Sequence, residues 1–439
     1  MNVDLIVASS IFIIFVSAIL FYFFGFQKQG PSWQSLIELR KEASKLANEI
    51  ISKGIPSDWN KENIIPSKIG LASSYYLIPI LISDTSGYNR INEPIAQEIV
   101  FDNDCKNLAW NGTVRIFDEN FNEVPFRFVN QTFCPSGFLQ KAILFFEVNV
   151  SANSTRKLQI FFYNSTQVNP KDYGNFSNLV MWLTFDEGSG NIAYDYSGNK
   201  NNGVLLDANV TNNDGNTPPQ WTNGKFGKAL SFDGVDDYVG ISASPTLNIT
   251  NQITIEAWVL PLSFGGNPGR GILRKGDDSY AYELVVNSDG YPQLWLYSGT
   301  DNGLTATQAI SLNSWNFIVG TYNNSNMKLY INENLVGERA IGSITILNNN
   351  QILTIGAWDL GYLRHWNGTI DEVRVYNRAL TNEEILSHYQ QPLTIKIFPR
   401  TEVSLISFEK IEALRNISYD LLKNALQKGY NFRVEVYEK

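Results

Sequence analysis

From Tyr75 to Gln390 the apolar residues recur mostly in short strand-like runs, separated by turn-rich polar stretches. Runs such as "YYLIPILIS", "GTVRIFD", "VPFRFVN", "AILFFEVNV" and "KLQIFFYN" alternate at period two, the period of a half-buried strand. With no helical run between them, these strands predict a small antiparallel β-sandwich over residues 73–168. After the polar stretch "NPKDYGNFSN", a second series predicts a larger two-sheet sandwich over 178–392. It includes "VMWLTF", "KALSF", "YVGIS", "ITIEAWVLP", "AYELVVN", "WNFIVGTYN" and "GTIDEVRVY". The fold class expected is therefore mainly β.

The two ends of the chain read differently. Leu5 to Phe26 is an uncharged apolar run long enough to cross about 30 Å of hydrocarbon, so residues 1–28 are expected to form a transmembrane helix. Residues 29–72 are expected to hold an amphipathic juxtamembrane helix, with Ser32 as N-cap and Trp33, Leu36, Ile37, Leu46 and Ile50 at helical spacing. Over 393–439, "SFEKIEALRNISYDLLKNALQKG" reads as a helix and "YNFRVEVYE" as a strand. Both are expected to pack on the membrane-proximal unit, giving a small α+β body into which the sandwiches are inserted.

A formal charge of -9 with scattered Lys and Arg excludes nucleic acid as a partner, because no basic stripe exists to displace phosphate counterions. Basic residues after the apolar run lean against export by the positive-inside rule, but long domains translocate regardless. Recurring Asn-x-Ser/Thr sequons, from Asn111 to Asn416, favour an extracytoplasmic body on a single-pass cell-membrane anchor. Only two cysteines occur, Cys105 and Cys134, at a separation suited to a loop-closing disulfide.

The larger series also carries a resemblance. "LTFDEGSGNIAYDYSGNKNNGVL", "GKFGKALSFDGVDDYVGI", "ITIEAWVLP", "WNFIVGTYNNSNMKLYINENLVGE" and "WNGTIDEVRVYNRALTNEEI" follow one another as in the laminin G-like, concanavalin A-like lectin/glucanase superfamily. That resemblance implies a jelly roll over residues 178–392, and lectin-like, adhesive, scaffold or glycosidase roles. The N-terminal apolar run, "GIPSDWNKENIIPSKIGLAS" and "FEKIEALRNISYDLLKNAL" more loosely resemble membrane-anchored, pilin-like surface proteins of archaea, which implies homo-assembly through the N-terminal helix.

A glycosidase on this fold would resemble the laminarinase group, with Glu-x-Asp-x-x-Glu on one strand face; no such motif is present. Glu256 and Glu283 read as isolated acidic residues between apolar ones. His365 and His388 are not in metal-ligand spacing, and His388 reads as a surface or packing residue. Asp233-Gly234 is a hairpin turn signal, and Asp233, Asp236 and Asp237 are expected to cap backbone amides there, with a metal cluster as the rival reading.

For calcium, the resemblance implies two sets. The first and last strands of the superfamily are neighbours, which would join Asp186, Asp371 and Asp195 in a structural site. A pentraxin-like site would use Asp277, Asp278 and Asp359. Trp358 and Tyr362, in one loop, could present aromatic faces to a sugar, whereas Trp258, Trp295, Trp315 and Trp366 are expected in packing. The function expected is a membrane-anchored surface protein that binds glycans or a protein partner without catalysis. A pilin-like structural subunit is the alternative, and a glycoside hydrolase a further one.

Overall fold

The computed structural model of the chain describes residues 72–406, apart from 121, 167, 175–176, 209–216, 266–268, 277–279, 359–363 and 391. The apolar run of residues 5–26, the amphipathic helix and the C-terminal helix lie outside the described residues. Among those described, no helix is long and apolar enough to cross a membrane.

The small sandwich has a six-stranded sheet facing a three-stranded one. Strand Ala72–Ser83 lies inside the larger sheet, with Ile78, Ile80 and Ile82 alternating into the core. The facing sheet centres on Leu139–Val150, which turns Leu144, Phe146 and Val148 inward and Phe145 outward. Cys105 and Cys134 form a disulfide, Cα to Cα 5.6 Å, tying the loop after Arg90–Val100 to the segment after Phe126–Phe133.

Residues 393–406 do not follow the sequence expectation. Thr394–Ile397 and Thr401–Ile406 both pair antiparallel with Ala72–Ser83, opposite the edge taken by Thr155–Phe162. The chain thus returns to the small sandwich after completing the large one, and the large sandwich is an insertion into the small. The physical reason is the open edge of Ala72–Ser83, whose N–H and C=O groups need a ladder partner. The returning strand is interrupted at Phe398–Arg400, where Pro399 has no N–H to give.

The large sandwich packs two eight-stranded antiparallel sheets. One, the outer sheet, runs Asp301–Thr305, Pro292–Tyr297, Tyr282–Val286, Arg270–Lys275, Leu353–Ile355, Asp237–Ile241, Gly203–Asp207 and Ile192–Ala193. The other, the inner sheet, is built around Asn367–Tyr376 and Ile253–Pro261. Leu179–Leu183 and Asn367–Tyr376 pair, so the first and last strands are neighbours.

Along Ile253–Pro261, Ile255, Ala257 and Val259 enter the sandwich core, which leaves Thr254, Glu256 and Trp258 on the opposite face. That face is covered by the helix Asn382–Tyr389 and the small sandwich. The helix begins with a capping box in which Thr381 and Glu384 bond each other's backbone amides. Trp258 is therefore buried at the junction, against Phe317, Tyr389 and Phe226, rather than between the two sheets.

Glu256 is not isolated there. Its oxygens meet Arg374 at 3.0 Å and His388 Nδ1 at 3.0 Å; Arg374 also pairs with Glu372 at 2.7 Å. Arg90 of the small sandwich joins this layer through Asp84 at 3.0 Å and donates to the Ser387 carbonyl. His388 is 5% exposed and bridges the layers instead of sitting at the surface.

Candidate functional site

The outer sheet supplies the site. In register, Leu273, Leu284 and Leu294 form a cross-strand row pointing into the core, so the next row along, Arg274, Glu283 and Trp295, must point away from it. Extended across neighbouring strands, this second row reads Val204, Gly240, Thr354, Arg274, Glu283, Trp295 and Gly303. Glycine at 303 is required by the ring beside it, since a Cβ there would lie 2.4 Å from Trp295.

Glu283 is the hub of this face. Its Oε2 accepts from Arg274 Nη1 at 2.7 Å and from Trp358 Nε1 at 3.0 Å. The Arg274 guanidinium stacks over Tyr280 at 5.1 Å, and Tyr280 Oη donates to Asp301 at 2.6 Å. Arg364 covers Trp358 at 4.9 Å. Burial pushes the Glu283 carboxyl up to about 7, outweighing the opposing pull of Arg274 and of the Trp358 bond. Glu283 thus has partners that its sequence neighbours do not reveal.

A surface of indole and phenol rings fixed around a buried acceptor suits the alternating polar and C–H faces of a sugar. The row holds one carboxylate, and a glycosidase needs two, about 5 Å apart for retention or wider for inversion. Trp358, expected as a ligand contact, is half-buried on this face; Tyr362, Asp277, Asp278 and Asp359 lie outside the described residues.

Of the structural calcium set, Asp186 and Asp371 do come together, on either side of the loop Gly224–Lys228. Asp186 Oδ1 accepts from Lys228 N at 2.7 Å, and Asp371 Oδ2 accepts from Phe226 N at 3.1 Å. Asp371 is fully buried with Oδ1 lacking a hydrogen bond; burial, with Glu372 and Asp186 nearby, pushes it up to about 8. These two fit a hard cation. Asp195 does not join them: Oδ1 accepts from Trp182 N and Ser197 N, and Oδ2 from Asn201 N and Ser197 Oγ. It organises a turn with its acceptor capacity already filled.

The Asp233-Gly234 stretch is a corner and not a hairpin. Lys228–Asp233 pairs within the inner sheet, whereas Asp237–Ile241 belongs to the outer sheet. Gly234, at φ 83°, lets the chain change sheets over three residues. The expected capping is present, with Asp233 accepting from Val235 N at 2.7 Å and Asp237 from Asp233 N at 2.8 Å.

Sequence reasoning missed the Arg274–Glu283 pair and Tyr280. The alternation in "RGILRK" and "YELVV" places both charged residues on faces opposite the leucines, but only the strand register shows that they meet.

A family match covers most of the large sandwich. Residues 233–386 match the family model described as the concanavalin A-like lectin/glucanases superfamily, so the large sandwich carries a concanavalin A-like domain. No curated protein matches the chain. Similar solved structures include domain 4 of AbnA, a GH43 extracellular arabinanase from Geobacillus stearothermophilus, in complex with arabinotriose. It is 22% identical, with a TM-score of 0.40, over 49% of this chain and 99% of that one. The binding domain of Paraclostridial Mosquitocidal Protein 1 is 19% identical, with a TM-score of 0.39, over 48% of this chain and 52% of that one. Trypanosoma rangeli sialidase in complex with the inhibitor DANA is 12% identical, with a TM-score of 0.36, over 56% of this chain and 42% of that one.

Proposed function

We propose that this chain is a membrane-anchored, extracytoplasmic surface protein whose concanavalin A-like domain binds glycans on its outer sheet, without catalysis. The observation that carries the proposal is the Trp358–Glu283–Arg274–Tyr280 network, which holds ring faces and charged groups in fixed positions on the face turned away from the core. Arg274 and Asp301 bond hydroxyls at the edge of a sugar whose C–H face lies on Trp358. Buried Glu283 holds both neighbours in place and is a positioning residue. Calcium, when bound at Asp186 and Asp371, supplies a structural link between the first and last strands of the domain.

Binding of the full chain to a glycan array tests this. A glycan bound by the wild type is expected to lose at least tenfold in affinity in Trp358→Ala, with the fold retained by circular dichroism. Unchanged affinity in that variant, or no glycan bound by a folded chain, would sink the proposal.

A further inference from the structure

The indole of Trp295 lies flat on the outward face of the outer sheet, and not in the packing that its strand pattern suggested. Its register partner on the edge strand Asp301–Thr305 is Gly303. A Cβ added to Gly303 would meet Cζ3, Cε3 and Cη2 of the ring at 2.4, 2.6 and 2.6 Å. Near-equal distances to three adjacent ring atoms put the glycine beneath the face of the ring rather than at its edge. One face of the indole thus rests on backbone, and the other is turned away from the sheet; the residue is half-buried.

The ring is held in that position. Trp295 Nε1 donates to Gln293 Oε1 at 3.4 Å, and Gln293 Nε2 donates to Thr305 Oγ1 at 3.0 Å. Gln293, two residues away on the same strand, shares the outward face, and Thr305 is its register partner, so an amide and a hydroxyl border the indole on one side. Tyr297 borders it on the other, 5.8 Å from the Tyr280 ring. Covering an edge glycine is a structural role that an aromatic ring fills by itself. That role gives no reason for a second indole on the same face, yet Trp358 is there, and Glu283 lies between the two: it is the register partner of Trp295 and accepts from Trp358 Nε1. The backbone of Trp358 lies against Gly271 on Arg270–Lys275, where a Cβ would be 2.3 Å from its nitrogen. Arg270–Lys275 and Pro292–Tyr297 are separated by Tyr282–Val286, so the two indoles are based two strand spacings apart, about 10 Å and wider than one pyranose ring.

We propose that Trp295 is a second stacking platform and that the outer sheet takes a linear oligosaccharide laid across its strands, one sugar on Trp358 and another on Trp295. This rests on the glycan-binding role proposed for the sheet and names the ligand class for it: a chain of two or more sugars and not a single residue. The C–H face of a sugar stacks on the open face of each indole. After the bonds that hold the ring, the Gln293 amide keeps an N–H and Thr305 its O–H, and these meet hydroxyls of the sugar on Trp295.

The test titrates the full chain by calorimetry with linear gluco-, xylo-, manno- and galacto-oligosaccharides of one to six residues. In at least one series the affinity is expected to rise tenfold or more from one sugar to four. Trp295→Ala is expected to abolish that rise, Trp295→Phe, which keeps a ring on Gly303, to retain part of it, and Trp358→Ala to weaken every length. Should Trp295→Ala not fold, oxidation of the wild type by N-bromosuccinimide, located by peptide mass spectrometry, reads the same contact: the hexasaccharide is expected to protect Trp295 and the monosaccharide to leave it reactive. The inference is overturned, with the glycan-binding face intact, if affinity does not depend on length or if a bound hexasaccharide leaves Trp295 as reactive as in the free protein. It is equally overturned if Trp295→Ala keeps the rise while weakening every length alike, as loss of a merely structural ring would. A folded chain that binds none of these sugars, or binds them undiminished in Trp358→Ala, sinks the glycan-binding face and this inference together.

Discussion

Glu283 and Arg274 carry unequal risks. Removing Arg274 leaves a buried carboxylate without its cation, so Arg274→Ala is expected to destabilise the chain by about 3–5 kcal/mol near pH 8 in urea unfolding. The loss should shrink toward pH 5, because Glu283, already pushed up to about 7, is then protonated and no longer needs a cation. Glu283→Gln, with similar shape and no charge, is expected to cost much less. An equal loss at both pH values in Arg274→Ala would show that the arginine acts by packing alone. The residue types at 274 and 283 are plain in the sequence, but nothing beside either one in the chain names its partner. What makes them a site is a strand register fixed by the leucine rows beneath.

Single elements were the most legible level. Strand after strand lies where period-two patterning put it, because the pattern is itself the trace of one buried face. The disulfide is a matter of spacing: Cys105 and Cys134 close a loop with a sequence separation of 29. Replacing both with Ser is expected to lower stability by about 3 to 4 kcal/mol, chiefly by freeing the unfolded chain. Urea unfolding of the double variant against wild type measures it, and a change below 1 kcal/mol on the order-of-magnitude scale of such bridges would mean the loop is held by packing. Thr381→Ala removes the hydroxyl that caps the helix Asn382–Tyr389 and is expected to cost about 1 kcal/mol. The corner at Gly234 was misread as a hairpin for a local reason. Asp-Gly requires a turn with positive φ, and that requirement is the same whether the next strand pairs with the last or joins the other sheet.

Across the whole molecule, the two sandwiches are expected to unfold together. The small one is completed by strands that follow the large one, and their junction buries Trp258, Phe145 and Tyr376 together with the side chains of Arg90, Glu256, Arg374 and His388. Calorimetry of the full chain should therefore show one transition; two well-separated peaks would count against the coupling. A cut at 178 and 392 would expose that aromatic face, so the excised large sandwich is expected to melt lower than the full chain or to aggregate.

Stability of the whole chain should also depend on pH in a definite direction. Asp237, Glu283 and Asp371 are pushed up to about 7, 7 and 8, so the folded state holds protons that the unfolded chain has released. The sign follows: where the folded state binds more protons, stability falls as pH rises, here from about pH 5 to pH 8 in chelator. Asp84, held down to about 2 by hydrogen bonds from Ser86, the Asn153 amide and Arg90, contributes stability that is lost only below about pH 4. Melting temperatures across that range check the slope, and a flat profile would remove these carboxylates from the account.

The sequence by itself determined the mainly β class, many of the strand positions, the disulfide pair and the superfamily of the large domain. Each is written in local period, in short-range spacing or in an ordered motif series. Only the tertiary structure decided that residues 394–406 close the small sandwich, that Glu256 and Glu283 have cationic partners, and that Asp207 faces Asp237. Those facts depend on which strands pair and in what register. Alternation fixes the face of a side chain but leaves its neighbour across the ladder open.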